Sequence, residues 1–144
     1  MLVGHILKLK SDYGVVTLAP GTTVARLAEV LSARRIGAVV ISADGRVVEG
    51  IESERDVLRE LGRRGQACLT DPVESLMTAK VTTCARSDTA DQVLAVMTEG
   101  RFRHMPVLEN GQMIGLISIG DVVKARLSEL SMEKDALEGM IKGF

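Results

Sequence analysis

Two short stretches place an aspartate three residues after a serine: "SERD", with Ser53 and Asp56, and "SIGD", with Ser118 and Asp121. A serine oxygen can accept a backbone N–H at a helix start while the aspartate reaches back to the serine's own N–H, so each pair makes a serviceable capping box. The same groups can serve a ligand. A carboxylate accepts both hydroxyl protons of a vicinal diol such as that of a ribose, and a serine hydroxyl beside the free N–H groups of a helix start suits a phosphate. A third pair, Arg103 and His104 in "RFRHMPV", brings two donors into an otherwise apolar run and could hold an anion by charge-assisted hydrogen bonds. Neighbouring strand residues point to opposite faces, so both reach one anion only where a strand begins irregularly. A core histidine satisfied within the protein and an arginine reaching solvent are the plainer account of the same two residues.

Positioning such groups is the task of a small fold. The chain has 144 residues, 46% hydrophobic and 26% charged, which is globular composition and suits one domain or two small halves sharing a core. Aromatics make up only 2%, so the core must come from Val, Ile, Leu, Met and Ala. A formal net charge of −1 and a pI near 6.1 provide no general attraction to nucleic acid or an anionic membrane surface. One Tyr, two Phe and no Trp leave no base-stacking platform, so no nucleic-acid partner is expected. Cys68 and Cys84 fit a reducing compartment better than a disulfide scaffold. No apolar run approaches the roughly 18–20 residues of a membrane span. The opening "MLVGHILKLK" is too short and interrupted for a signal peptide, so the expectation is a cytoplasmic protein with no membrane partner.

The chain repeats itself. Residues 15–61 can be laid over 81–126: at an offset of 66, Thr17 meets Thr83, Thr23 meets Thr89 and Gly45 meets Gly111. Beyond the turn the offset becomes 65, pairing Gly50 with Gly115, Ser53 with Ser118 and Asp56 with Asp121. A longer hairpin or a bulge in the first copy accounts for the change. Val24, Leu27, Ala28 and Leu31 form a helical apolar stripe that recurs as Ala90, Val93, Leu94 and Met97. Asp88 is the expected N-cap of the second of these helices. A short strand, "AVVIS" or "MPVLE", a turn, "ADG" or "ENG", and a second strand, "RVVEGIE" or "QMIGLIS", lead into a second helix. With a first strand at "VVTL" or "VTTC", each unit reads β-α-β-β-α, an α/β (α+β) class. Neither copy has much core of its own, so the two should pack sheet to sheet about a pseudo-two-fold axis.

The expected divisions are 1–64 for an N-terminal helix and the first repeat, 65–78 for a linker, 79–130 for the second repeat and 131–144 for a helical extension. In the linker Asp71 and Pro72 read as N-cap and first residue of a short helix ending near Met77. In the extension Leu130, Leu137, Met140 and Ile141 form a broken apolar stripe, suited to packing on its own domain or on a dimer mate.

The duplication, "SLMT" ahead of the second copy, "RHMPV", "GLISIGDVV" and the opening "VGHILK", "YGVVTLAP" and "SERDVLRE" together resemble a tandem pair of cystathionine-β-synthase (CBS) domains. Each motif is weak alone; their order and duplication make the resemblance specific. It implies a regulatory module, not an enzyme, that binds an adenosine nucleotide in clefts between the repeats: AMP or NAD(H), with ATP a further candidate. It also implies a homodimer and an effector protein as partner. The family's Ser/Thr-x-x-Asp motif, which handles sugar and phosphate, falls on Ser53, Asp56, Ser118 and Asp121.

In the cleft expected at Asp121, adenine lies by Val16, Ile36, Gly37 and Ala38, the ribose on Asp121, and phosphates toward Ser118, Arg103 and His104. Ser11 and Leu116 match family contact positions near it. The cleft at Asp56 would add Ile51, Ser53 and Thr82, but Glu52 and Glu54 flank Ser53 and burden a phosphate there, so the Asp121 cleft ranks first. Arg55 is a possible compensating cation. A module with empty clefts that only binds a partner is the competing reading. An enzyme is the weakest, since His5 and His104 lack metal-site or nucleophile settings and Cys84 in a strand reads as a small core residue.

Overall fold

A computed structural model describes residues 1–10 and 14–143; the expectation for Ser11 lies outside them. Along the chain run α1 (Val3–Leu9), β1 (Thr17–Leu18), α2 (Val24–Arg34), β2 (Ala38–Ile41), β3 (Gly50–Ser53), α3 (Glu54–Arg64), α4 (Ala90–Gly100), β4 (His104–Glu109), β5 (Gln112–Ser118) and α5 (Ile119–Ile141). Two short 3-10 turns, Gly65–Thr70 and Val73–Ser75, occupy the linker.

The repeated threonines start the repeated helices. Thr23 Oγ1 accepts the Arg26 N–H at 3.2 Å, and Thr89 Oγ1 accepts the Gln92 N–H at 3.1 Å. Gln92 accepts the Thr89 N–H in return at 2.9 Å. This reciprocal box satisfies two helix-end donors at once, so Thr89 is the cap and not Asp88. Asp88 instead accepts the Ala85 N–H at 2.8 Å in the turn before.

Both repeats have one topology. In the first, β1 is parallel to β2 and β2 antiparallel to β3. In the second, β4 and β5 are antiparallel and Cys84 makes a single parallel bridge to Val107 where β1 would stand. The strands expected at "VVTL" and "VTTC" thus shrink to two residues and one bridge. The equivalence survives in the backbone: Ser42 N–H donates to Leu18 O at 2.9 Å, and Leu108 N–H donates to Cys84 O at 2.8 Å. The second hairpin closes through Asn110 (φ 52°) and Gly111 (φ 77°), both left-handed as a two-residue type I′ turn requires. The first needs the longer loop from Ile41 to Gly50, in which Asp44 Oδ1 accepts the Arg46 and Val47 N–H groups at 2.8 and 2.9 Å. The bulge lies in the second copy, where Val107 faces Gly115 but Leu108 faces Met113.

Two apolar cores result, and each is completed by the segment that precedes the other repeat. The first is built on Val24, Leu27, Val39 and Ile41 and takes in Val73 from the linker. Val24 N–H donates to Asp71 O at 2.9 Å and Val73 N–H to Thr22 O at 2.8 Å. The second, on Val93, Met97, Met105, Val107 and Ile117, takes in Val3 and Ile6 of α1. Val3 N–H donates to Asp88 O and Ala90 N–H to Met1 O, both at 2.8 Å. Grouping α1 with the first repeat followed chain order; in space it belongs to the second. Asp71 does not cap a helix either. The chain around Pro72 stays extended to bridge Thr23, only the turn Val73–Ser75 follows, and the Asp71 carboxylate pairs with Arg64. α5 buries Val122 and Ala125 near its start, whereas Leu130, Leu137, Met140 and Ile141 beyond are exposed. Among the described residues no helix is long and apolar enough to cross a membrane.

Candidate functional site

Each Ser-x-x-Asp pair sits where a strand hands over to a helix, and each forms a complete capping box. At α5, Ser118 Oγ accepts the Asp121 N–H at 3.1 Å while Asp121 Oδ2 accepts the Ser118 N–H at 2.8 Å. At α3, Asp56 Oδ2 accepts both the N–H and the hydroxyl of Ser53, at 2.8 and 3.0 Å. Capping is therefore present in both copies. It does not exhaust the groups, because each box also forms part of the wall of a hollow between the repeats.

The hollow at Asp121 has a volume of about 350 Å³. Val16, Ile36, Gly37 and Ala38 reach it from the first repeat, and His104, Leu116, Ser118 and Asp121 from the second. That brings together the residues the sequence assigned to this cleft, with Arg103 excepted and Ser11 outside the described residues. One further group went unread. Lys10, just past α1, places its ammonium 2.9 Å from Asp121 Oδ2 and donates to Leu116 O at 2.7 Å. Burial works against the ionised Asp121 carboxylate, but the Ser118 N–H and the Lys10 ammonium outweigh it and hold the group below the usual carboxylate range. Lys10 follows "VGHILK" by two residues, and only docking of α1 on the second repeat puts it at the acid.

The hollow at Asp56 is of similar size, about 380 Å³. Ile51, Ser53 and Asp56 line it from the first repeat and Thr82 and Arg103 from the second. Arg103 thus leaves the Asp121 cleft to which it was assigned. Arg103 lies just before β4, which begins at His104, and it lines the Asp56 hollow together with Arg101, Phe102 and His104. Gly37, Ala38 and His104 line both hollows, so they form the partition between them. The imidazole lies close on the Gly37 backbone: a Cβ built there would be 3.1 Å from His104 Cε1.

Of the two carboxylates expected to burden the Asp56 cleft, Glu54 lines the hollow and Glu52 does not. Its neighbours Ile51 and Ser53 face the hollow; Glu52 faces the other way, fully buried in the first core opposite Val39. It does not burden a phosphate at Ser53 as supposed. Cys84 is a buried core residue whose thiol is pushed up to about 12, chiefly by burial.

Burial, with Lys10 adding to it, holds the His104 imidazole below its ordinary 6.5, so it enters the partition as a neutral ring at pH 7. Its proton NMR titration in the unliganded protein should therefore show a midpoint below 6.5, and a bound phosphate should move that midpoint upward. An unperturbed or raised midpoint in the free protein would contradict the packing described.

The model of the CBS domain matches this chain twice, over residues 9–63 and 73–128. The chain belongs to the CBS-domain family. It is 33% identical over 125 residues to the mitochondrial CBS domain-containing protein CBSX3 of Arabidopsis thaliana, covering 84% of this chain but only 61% of that one. A crystal structure of a CBS-domain containing protein from Agrobacterium tumefaciens shares 46% identity at a TM-score of 0.82, covering 88% of this chain and 99% of the other. A CBS domain protein from Pyrobaculum aerophilum, complexed with AMP, shares 25% identity at a TM-score of 0.77, with coverage of 92% and 99%. This CBS pair therefore has the α+β fold of its relatives, with its two Ser-x-x-Asp boxes at corresponding places in the two repeats.

Proposed function

We propose that this CBS pair is a regulatory module that binds an adenosine-containing ligand in the hollows between its repeats and transmits occupancy as a change of conformation or partner affinity. The observation that carries the reading is the duplicated placement of a capped carboxylate, Asp56 or Asp121, in the wall of a hollow built from both repeats. A diol held there touches both halves, and differential binding to two arrangements of those halves is what lets a ligand shift such a module. AMP and NAD(H) are the leading ligands, with ATP a further candidate; the AMP complex of the Pyrobaculum relative supports the class. The protein acts without catalysis of its own, as a homodimer that presents the exposed apolar residues of α5 to its mate, and signals to an effector protein. Its free, buried cysteines suit a reducing compartment such as the cytoplasm.

One observation favours a partner-binding module without nucleotide: Asp121 already holds Lys10, so a diol must displace or share that cation.

Isothermal titration with AMP and NADH tests the proposal. Binding is expected, and Asp56→Asn and Asp121→Asn, which keep an oxygen for the cap but lose the charge, should each weaken their own hollow about 10- to 100-fold. Absence of binding by any adenosine compound would favour the partner-only reading.

A further inference from the structure

The two hollows differ in charge. Around the Asp56 hollow stand Arg55, Arg59, Lys80, Arg101 and Arg103, against the carboxylates of Glu54 and Asp56. Around the Asp121 hollow the charged side chains among the described residues are Lys10 and Asp121, already paired with each other, and His104 is held neutral. Among the described residues, no carboxylate lies within ion-pair distance of Arg55, Lys80, Arg101 or Arg103; Arg59 alone is engaged, 3.5 Å from Asp56 Oδ1. Glu52, which could have offset them, is buried on the opposite face of β3.

These cations converge from separate elements. Arg55 and Arg59 come from α3, Lys80 from the chain entering the second repeat, Arg101 from the C-cap of α4 and Arg103 from the residue before β4. Arg101 keeps that place at φ 58°, a backbone conformation in which a glycine would be less strained. Like charges gathered round one concavity repel one another, and a multiply charged anion relieves the repulsion; guanidinium groups also offer paired N–H donors that match phosphoryl oxygens.

We propose that the Asp56 hollow selects ligands bearing two or more linked phosphoryl groups, whereas the Asp121 hollow takes the nucleoside end of a ligand with little phosphate charge. The nucleoside part rests on the adenosine reading above; the oligophosphate part does not. It reverses the expected order of the clefts, because the phosphate-binding charge lies with Asp56.

The test is isothermal titration of the full chain with adenosine, AMP, ADP, ATP and inorganic tripolyphosphate in magnesium-free buffer. The proteins are the wild type, an Arg101→Gly/Arg103→Ala double variant, and Asp121→Asn. The two arginines are exposed and glycine suits the left-handed position, so the double variant should fold. ADP and ATP are expected to bind at least about tenfold more tightly than AMP, a gain the double variant loses and Asp121→Asn retains. Added salt should erode the gain. Equal affinities for AMP, ADP and ATP, or a gain that survives in the double variant, would overturn the proposal while leaving the adenosine reading intact. Tripolyphosphate binding that depends on the arginines, with adenosine and AMP failing to bind, would uphold the oligophosphate site and overturn the adenosine reading. Failure of all five probes would overturn both.

Discussion

Replacing Glu52 by glutamine should stabilise the protein at pH 7 by about 3 kcal/mol and remove much of the pH dependence of its unfolding between about pH 4.5 and 8. The side chain is fully buried, and among the described residues neither carboxylate oxygen has a hydrogen-bond partner. Burial, with the nearby charges of Asp56 and Glu74 adding to it, pushes its carboxyl from 4.5 up to about 8. Below pH 4.5 the acid is protonated both folded and unfolded, so its ionisation affects stability little. As pH rises from there, the unfolded chain releases the proton while the folded chain keeps it, and stability falls by about 1.36 kcal/mol per pH unit. At pH 7 some two and a half pH units of that loss have accumulated, and it levels off near pH 8, where the folded state ionises too. Glutamine resembles the protonated acid at every pH. Urea unfolding of Glu52→Gln and wild type from pH 4.5 to 8.5 measures the difference directly. Parallel curves over the whole range would show that Glu52 is not held as a neutral acid.

The converse substitution is expected to be the most damaging. Adding 65 to Glu52 gives Ile117, and both are fully buried at the same place in their repeats. Ile117→Glu forfeits the burial of an aliphatic side chain, about 3 kcal/mol, and inserts an unpaired acid whose ionisation the core resists. With a proton affinity raised as that of Glu52 is, the loss at pH 7 reaches about 6 kcal/mol, within the range of a small domain's whole stability. The denaturation midpoint, followed by far-ultraviolet circular dichroism, should collapse at pH 8 and recover in part at pH 5. A variant as stable as wild type at pH 8 would mean that the second core does not close over residue 117. Glu52→Ile, by the same argument, should be stabilising.

The local features were legible in the sequence, and the reasons are local. Helix stripes, the Asn-Gly turn and both Ser-x-x-Asp boxes depend on residues a few positions apart, so their spacing carries them. The choice between Asp88 and Thr89 as cap was within reach too, since Gln92 three residues after Thr89 marks a capping box. Duplication carried the fold further, for a unit that recurs must pack in a repeatable way, and the two hydrogen bonds to residues 18 and 84 show how closely it does.

The sequence alone, then, determined the repeated unit, its caps and the pair of carboxylates, because each is set by neighbours along the chain. Only the tertiary structure decided which hollow each charge serves. Lys10 meets Asp121 because α1 docks on the second repeat, across more than a hundred residues. Glu52 was misplaced because a strand sends adjacent side chains to opposite faces, and which face is hollow and which is core depends on what packs against it. Arg103 was misplaced because the segment before β4 lines the Asp56 hollow. Charge is counted along a chain, but a ligand meets it in space.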